Sequence, residues 1–194
     1  MKIGIIIGST RPGRSGESVG PWVADQAAGR TGADYELVDL ADYNLSLLAE
    51  PTVPGMANRQ YERAETRAWS QKIDEFDGYV FVTPEYNHGV PAALKNAVDV
   101  LGPEWGDKAL GLVGYGADGG VRAIEQWRVI AANLRLMAVR NQVSLSLFTE
   151  FGPDGFQPAD RRAGELSGVL DQVEELAGAL HQLRAARESV GAAR

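Results

Sequence analysis

Three polar segments of this 194-residue chain carry the residue types that bind phosphate and flat aromatic rings. The first, residues 8–18, combines glycines, hydroxyl side chains and the arginines Arg11 and Arg14 between an apolar run and a helical pattern. Backbone N–H groups at such a helix start point at an anion, and the helix dipole favours negative charge there. Hydroxyls add donors, and a guanidinium matches phosphate geometry. We therefore predict a phosphate site in residues 8–18.

The glycine spacing of this segment differs from the two common nucleotide fingerprints. A P-loop ends in Gly-Lys-Ser/Thr, which residues 8–18 lack. The dinucleotide fingerprint is G-x-G-x-x-G, whereas Gly8, Gly13 and Gly16 are spaced differently. The pattern better suits a monophosphate held by side-chain hydroxyls. The alternative is an ordinary glycine-rich turn with solvated arginines.

The second and third polar segments could hold a flat ring. Residues 84–89 offer Pro84 and Tyr86 to flank a ring, and backbone amides to bind its polar edge. Residues 114–123 form a glycine-rich loop that opens a helix, so further backbone N–H groups are accessible. A ligand with a phosphate at one end and a heteroaromatic ring at the other would use all three segments. Flavin mononucleotide (FMN) has this shape.

Alternating strands and helices must position these segments. Apolar runs rich in β-formers predict strands, and apolar residues at helical spacing predict helices. The predicted strands are residues 2–8, 34–40, 79–83, 108–115 and 139–148. The predicted helices are residues 19–28, 61–76, about 91–101, about 124–134 and 161–187.

This order predicts a single α/β domain over residues 1–194, with a doubly wound five-stranded parallel sheet. The first, third and fourth strands are the most continuously apolar, which predicts central positions, and the second and fifth alternate like edge strands. The strand order is then 2-1-3-4-5, the flavodoxin-like order, in which the three polar loops converge at one end. Residues 41–58 are expected to form a long surface loop and 150–160 a turn, and the tail after Glu188 is expected to fray.

Composition narrows the possible chemistry. The chain has no cysteine, which excludes disulfides, thiolate zinc sites, iron–sulfur clusters and cysteine nucleophiles. His88 and His181 are its only histidines, so an all-histidine metal site is excluded and no metal site is predicted. The net charge of −7 argues against a nucleic-acid partner. No apolar run is as long as a membrane span, and the apolar N-terminus is too short for a signal peptide, so we expect a cytoplasmic protein without a membrane partner.

One stretch has a specific motif, in which Pro-Glu-Tyr-Asn at residues 84–87 is followed by a proline and then by Lys-Asn-Ala-x-Asp at residues 95–99. Gly8-Ser9-Thr10-Arg11 and Gly119-Gly120-x-Arg122-Ala123 accompany it. With these motifs, residues 2–150 resemble the NAD(P)H-dependent FMN reductases of the flavodoxin-like superfamily, which reduce flavins, quinones, azo compounds and some metal oxyanions. Glu17-Ser18 stands where family members often have Asn.

The resemblance implies FMN as cofactor, NADPH or NADH as co-substrate, and a small-molecule electron acceptor. It also implies a homodimer or homotetramer, for which Trp105 and Trp127 are the hints in the sequence. The residues implied to bind the phosphate are Ser9, Arg11, Arg14, Ser15 and Ser18, with Gly16 in the same loop. Those implied to line the isoalloxazine ring are Pro84, Glu85, Tyr86, Asn87 and His88, with Gly116 to Gly119 at its pyrimidine edge; Tyr115 is a further implied cofactor-binding residue.

Several of these residues have structural alternatives. Glu85 could cap a helix or pair at a subunit interface, Asn87 could stabilise its own loop, and His88 could be a solvent-exposed loop residue. Surface or packing roles are expected for Lys95, Asn96, Asp99, Trp105 and His181.

A bound flavin would carry the chemistry, so no catalytic side chain is predicted. The expected reaction passes a hydride from NAD(P)H to the flavin, which then reduces the acceptor. Backbone amides near the pyrimidine edge would stabilise the anionic reduced flavin. One alternative is an electron-transfer flavodoxin without NAD(P)H turnover, although its T-x-T-G-x-T loop is absent. Another is a non-catalytic interaction module on the same scaffold.

Overall fold

The computed structural model describes residues 1–192. The strands are β1 (Lys2–Ile7), β2 (Asp34–Asp39), β3 (Gly78–Pro84), β4 (Lys108–Gly116), β5 (Leu136–Ser146), β6 (Phe151–Gly152) and β7 (Gly155–Phe156). The helices are α1 (Gly16–Ala27), α2 (Ala64–Asp74), α3 (Ala92–Asp99), α4 (Val121–Asn133) and α5 (Arg161–Ala192). None of the helices in these residues has both the length and the apolar character that a membrane crossing requires.

Strands β1 to β5 form one parallel sheet in the order β2-β1-β3-β4-β5. The predicted fold class and strand order are therefore confirmed. Strands β3 and β4 are buried along their whole length, whereas β2 and β5 mix buried with exposed residues. This difference explains the patterns in the sequence, because an edge strand keeps partial contact with water.

Apolar side chains cover both faces of the sheet. Helices α2, α3 and α4 pack on one face around Trp69, Trp105 and Trp127, and α1 and α5 pack on the other around Val23 and Leu166. Trp105 and Trp127 are at most 1% exposed. The packing role of Trp105 is therefore confirmed. The buried side chains of Trp105 and Trp127 leave no surface for a subunit contact of their own, and the homo-oligomer stays a prediction.

Several element boundaries differ from the predictions. Helix α1 begins at Gly16, inside the predicted phosphate segment, and β5 begins at Leu136, where pairing with Lys108 of β4 extends the strand. The predicted turn at 150–160 contains the β6–β7 hairpin, whose two-residue strands are too short to produce a pattern in the sequence. Helix α5 continues past Glu188 to Ala192, and the last two residues of the expected tail lie outside the described residues.

Candidate functional site

The three polar loops meet at the carboxyl end of the sheet, where β1, β3 and β4 end side by side. The first and second loops touch through the hydroxyl oxygens of Ser9 and Tyr86, which are 2.8 Å apart. The first and third meet where the Tyr115 hydroxyl faces Gly16, since a Cβ on Gly16 would lie 3.0 Å from that oxygen. The predicted convergence of the loops is therefore confirmed.

In the first loop, the two arginines have different surroundings. The Arg14 side chain is only 9% exposed, and it pairs with Asp39 at 2.5 Å and with Glu17 at 2.9 Å. Its Nε atom is buried and has no hydrogen-bond partner within residues 1–192. Arg11 is exposed to solvent. Arg14 is thus held in place by two carboxylates with one donor left over, whereas the Arg11 guanidinium is accessible.

The start of α1 presents backbone donors that the described chain leaves without acceptors. The N–H groups of Arg14 and Ser15 donate to no atom of residues 1–192. The Ser18 hydroxyl, in contrast, donates to the carbonyl of Ser15 at 2.9 Å. Free N–H groups at a helix start carry the positive end of the helix dipole. The first loop can therefore bind an anion chiefly through its backbone.

Tyr115, near the end of β4, directs its hydroxyl toward the first loop. The residue is 4% exposed, and its hydroxyl oxygen has no partner among the described residues. Burial raises the pKa of the Tyr115 phenol above its ordinary value and the neighbouring Tyr86 adds a smaller contribution, whereas the nearby Ser9 hydroxyl and Gly16 N–H oppose the shift. The phenol therefore keeps its proton and remains a hydrogen-bond donor. An anion bound in the first loop would provide an acceptor for it.

The second loop is a two-residue turn. Tyr86 and Gly89 exchange both backbone hydrogen bonds, at 3.1 and 3.0 Å. Between them, Asn87 and His88 have φ angles of +50° and +64°, a left-handed conformation that Asn tolerates well. Gln126 of α4 supports the turn by donating to the carbonyl of His88 at 2.8 Å. The backbone N–H groups of Asn87 and His88, in contrast, donate to no atom of the described residues.

The aromatic ring of the second loop is accessible, but its proline is not. Tyr86 is 40% exposed, so its ring can lie against a flat ligand. Pro84 is buried as the last residue of β3, where it pairs with Tyr115 of β4. His88 is exposed, as the structural alternative for it expected.

Glu85 joins the second loop to the third. Its carboxylate accepts hydrogen bonds from the backbone N–H of Arg122 at 2.9 Å, from the Arg122 guanidinium at 2.9 Å and from the N–H of Ala123 at 3.4 Å. A carboxylate at this position caps α4 and complements the dipole of the helix. The capping alternative for Glu85 is the one that the structure contains.

The third loop is a glycine turn with little free space. Gly119 and Gly120 have φ angles of +75° and +73°. A Cβ on Gly120 would lie 2.7 Å from the backbone nitrogen of Tyr115, so only glycine fits there. The N–H of Gly119 donates to the carbonyl of Gly116 at 3.1 Å and is therefore occupied. The exposed residues of this loop are Ala117 and Asp118, which lie between the predicted Gly116 and Gly119.

The sequence analysis did not identify the residues that hold these loops in place. Asp39 fixes Arg14 from 25 residues away, and Gln126 supports His88 from 38 residues away. Neither partner carries a local signal, because its role depends on where the next strand or helix packs. The sequence analysis also placed the start of α1 too late, because the helix begins at Gly16 and glycine is a poor helix former.

Comparison with known proteins agrees with this geometry. The family model described as NADPH-dependent FMN reductase matches residues 1–150. An NAD(P)H-dependent FMN reductase from Schizosaccharomyces pombe is 38% identical over 185 residues, which cover 95% of this chain and 86% of the relative. An NAD(P)H:quinone oxidoreductase from Solanum tuberosum is 30% identical over 158 residues, which cover 76% of this chain and 77% of the relative.

A solved structure also shares the fold. The flavoenzyme NAD(P)H:acceptor oxidoreductase from Paracoccus denitrificans superposes with a TM-score of 0.67 at 18% identity, covering 91% of this chain and 97% of that one. The resemblance inferred from the Pro-Glu-Tyr-Asn motif is thereby confirmed, and the chain belongs to the NADPH-dependent FMN reductase family.

Proposed function

We propose that this protein is an NAD(P)H-dependent oxidoreductase that holds FMN at the carboxyl end of its sheet and reduces a small acceptor. Family membership supports the reaction class and the cofactor. One observation carries the proposal for this site. The buried side-chain polar atoms without a partner in residues 1–192 are Arg14 Nε and the Tyr115 hydroxyl, and both lie at the first loop.

These atoms fit a phosphate monoester. Both are donors, and the N–H groups of Arg14 and Ser15 in the same loop have no acceptors in the described chain. A buried donor without a partner costs about 1–3 kcal/mol, and a bound anion would remove that cost. Because Asp39 and Glu17 neutralise Arg14, the exposed Arg11 is the guanidinium that remains to balance the charge of a phosphate.

The ring of FMN would lie between the second and third loops. Tyr86 would flank it, and the amides of Asn87 and His88 would face its polar edge. Glu85 and Gly119 would hold the loops without touching the ligand. Their hydrogen bonds within the chain support this division of roles.

When bound, FMN supplies the two-electron chemistry that couples oxidation of NAD(P)H to reduction of the acceptor. The chain itself orients the reactants and directs fixed amide donors to where negative charge develops. Tyr86 limits access to one face of the site. The choice between NADPH and NADH, the homodimer or homotetramer, and the cytoplasmic location stay predictions.

Titration of the purified protein with FMN, followed by quenching of flavin fluorescence, tests the proposal. The Arg11→Ala variant should bind FMN about tenfold more weakly, because a hydrogen bond to a charged group contributes about 1.5–3 kcal/mol. Its midpoint of urea unfolding should not change, since the side chain is exposed. Arg140→Ala, which removes another exposed arginine, is the matched control and should change neither quantity.

Two results would contradict the proposal. One is a wild-type protein that stays colourless and does not quench FMN fluorescence. The other is an Arg11→Ala variant in which stability and FMN affinity fall together, because this would indicate a structural role for Arg11. Consumption of NADPH with a quinone acceptor then separates a reductase from an electron-transfer flavodoxin.

A further inference from the structure

The β6–β7 hairpin connects the end of β5 to the start of α5, and its two aromatic residues lie side by side. Phe151 of β6 pairs with Phe156 of β7, and their ring centroids are 4.8 Å apart. Both side chains are half-buried and pack against the apolar core between the sheet and helices α1 and α5. The hairpin therefore lies on the same face of the sheet as α1, whose start belongs to the proposed phosphate site.

The hairpin contacts two of the elements that surround this phosphate site. The centroid of the Phe151 ring lies 6.4 Å from that of Tyr115, near the end of β4. The Phe156 ring meets the Trp22 ring of α1 edge to face, with the centroids 5.7 Å apart. Aromatic rings at such distances attract one another and prefer defined mutual orientations. Aromatic contacts through the hairpin thus join α1 to the end of β4.

The Tyr115 ring lies between the start of α1 and the hairpin. Its hydroxyl faces α1, where a Cβ on Gly16 would lie 3.0 Å from the oxygen, and its ring contacts Phe151. The hydroxyl has no hydrogen-bond partner among residues 1–192, so no hydrogen bond from it fixes the ring. Because the oxygen lies on the long axis of the ring, the packing of the ring determines where the hydroxyl points.

A buried ion pair anchors the base of the hairpin. The Glu150 carboxylate is 2% exposed, lies 2.5 Å from Nε of Arg162 on α5 and accepts from the N–H of Ser146 at 2.8 Å. The N–H of Gln157 donates to the carbonyl of Glu150 at 2.9 Å and closes the hairpin. Since Ser146 pairs with Gly116 of β4, the hairpin is tied to the strand that carries Tyr115. Phe151, the residue after Glu150, is therefore held at a fixed place beside the Tyr115 ring.

We propose that Phe151 is a positioning residue that holds the Tyr115 ring against the start of α1, so that the Tyr115 hydroxyl donates to the phosphate of FMN. Phe156 and Trp22 support Phe151 from the side of α1. This inference rests on the proposed function and gives the β6–β7 hairpin a role in cofactor recognition. Tyr115 makes the contact with the phosphate, and Phe151 acts only through Tyr115.

The test measures how strongly the purified protein prefers FMN to riboflavin, which has the same ring system and ribityl chain but no phosphate. Quenching of flavin fluorescence gives both dissociation constants. Phe151→Leu keeps an apolar side chain but removes the aromatic contact, so it should weaken FMN binding about threefold and leave riboflavin binding unchanged. Phe151→Tyr retains an aromatic ring and should restore the wild-type preference.

Phe76→Leu is the matched control for a loss of packing alone. Phe76 is 1% exposed at the amino end of the sheet, where its ring meets that of Tyr79 edge to face. The substitution should lower the urea midpoint and leave the ratio of the two flavin affinities unchanged. If Phe151→Leu behaved like Phe76→Leu, Phe151 would have a structural role only and the proposal would be wrong.

A second comparison tests whether Phe151 acts through Tyr115. Two residues that act through one hydroxyl are coupled, so the effect of the first disappears once the hydroxyl is removed. Phe151→Leu should therefore not lower the preference for FMN any further in a protein that already carries Tyr115→Phe. A further threefold loss in this background would show that Phe151 acts by another route and would overturn the proposal.

Failure of the proposed function gives a different result from failure of this inference. A wild-type protein that binds neither flavin contradicts both. A wild-type protein that binds FMN and riboflavin equally well retains a flavin site but lacks the phosphate contact, which overturns the role of Tyr115 and of Phe151. A preference for FMN that is the same in wild type and Phe151→Leu leaves the proposed function intact and overturns only the role of Phe151.

Discussion

The two ends of the sheet hold cavities of similar size, but their polar groups are satisfied in different ways. At the amino end, the Asp77 carboxylate accepts a hydrogen bond from the N–H of Lys2 at 3.0 Å. It also lies 2.8 Å from Nδ1 of His181 and pairs with Arg184. Strands β1 and β3 and helix α5 are thereby joined through one carboxylate.

The buried Lys108 at the same end also has its hydrogen bonds within the protein. Its Nζ donates to the carbonyl of Ile73 and to the hydroxyl of Tyr79, both at 3.0 Å. Burial lowers the pKa of Lys108 to about 8, and nearby Asp74 opposes this shift. The charged groups of the amino end therefore serve the fold and leave little for a ligand to satisfy.

The carboxyl end shows the opposite arrangement. Arg14 Nε, the Tyr115 hydroxyl and the N–H groups of Arg14 and Ser15 have no acceptor or donor partner among the described residues. In open parallel sheets, ligands bind outside the carboxyl ends of the strands. Donors are thus left without acceptors at the end of the sheet where we propose that FMN binds, and are paired at the end where they serve the fold. Substitutions at the two ends should therefore separate stability from FMN affinity.

The largest effect is expected for Gly120→Ala in the third loop. The new Cβ would lie 2.7 Å from the backbone of Tyr115 and 3.0 Å from that of Gly114, and φ is +73°. Backbone cannot move aside as a side chain can. Left-handed strain and overpacking together should lower the free energy of unfolding by about 3 kcal/mol. Urea unfolding measures this loss, and FMN titration should show weaker binding in the same variant.

Gly155→Ala is the control for the strain alone. Gly155 has φ of +90° in the β6–β7 turn, but a Cβ added there would have no atom within 4 Å. Gly155→Ala should lower the free energy of unfolding by about 1–2 kcal/mol and leave the FMN affinity unchanged. Equal losses in the two variants would mean that the third loop is not as tightly packed as the distances require.

At the amino end, Asp77→Asn should lower stability without changing FMN affinity. The substitution removes the charge that faces Arg184 and one of the acceptor oxygens, at a cost of about 2 kcal/mol at neutral pH. Asp34→Asn, at an exposed aspartate near the same end, is the control and should be neutral. An altered FMN affinity in Asp77→Asn would contradict the separation of the two ends.

The pKa of Asp77 determines how the stability lost in Asp77→Asn should change with pH. Burial raises the pKa of Asp77, but hydrogen bonds from His181 and from the Lys2 amide outweigh it, so the folded pKa is below its usual value. The stabilisation is therefore complete above the unfolded pKa of about 4 and is lost as the pH falls through the lower folded value. The difference in unfolding midpoint between wild type and Asp77→Asn should shrink below about pH 4. A difference that grew on acidification would refute this account.

The fold could be predicted from the sequence because the residue patterns that indicate it lie within single strands and helices. The continuous apolar runs of β3 and β4 and the alternation in β5 report burial directly, and burial sets the strand order. The same logic located the three loops, since each follows a central strand. The β6–β7 hairpin was missed because two residues cannot establish a period.

The details of the site depend on contacts that the sequence does not encode locally. Arg14 was identified as a phosphate ligand by its residue type, but Asp39 at the end of β2 pairs with its Nη2 and Glu17 of α1 pairs with its Nη1. Glu85 belongs to the specific motif, yet its carboxylate caps α4. Only the packing of β1 against β2, and of β3 against α4, decides which of these groups remain for a ligand.

The smallest effect should come from Tyr115→Phe, and its two readouts should change in opposite directions. Removing a buried hydroxyl without a partner should leave the free protein as stable as wild type, or more stable by about 1 kcal/mol. If that hydroxyl donates to the FMN phosphate, the variant should bind FMN about fivefold more weakly. Urea unfolding without flavin and fluorescence titration with FMN measure the two quantities.

Tyr79→Phe at the amino end is the matched control, because the Tyr79 hydroxyl is also buried but accepts from Lys108 and donates to the carbonyl of Ile73 at 2.8 Å. Its loss should destabilise the protein by about 1–3 kcal/mol and leave FMN affinity unchanged. Both hydroxyls are buried, but the chain provides hydrogen-bond partners for the Tyr79 hydroxyl and none for the Tyr115 hydroxyl. If both variants lost stability equally, Tyr115 would have a partner within the protein, and the contrast between the two ends would fail.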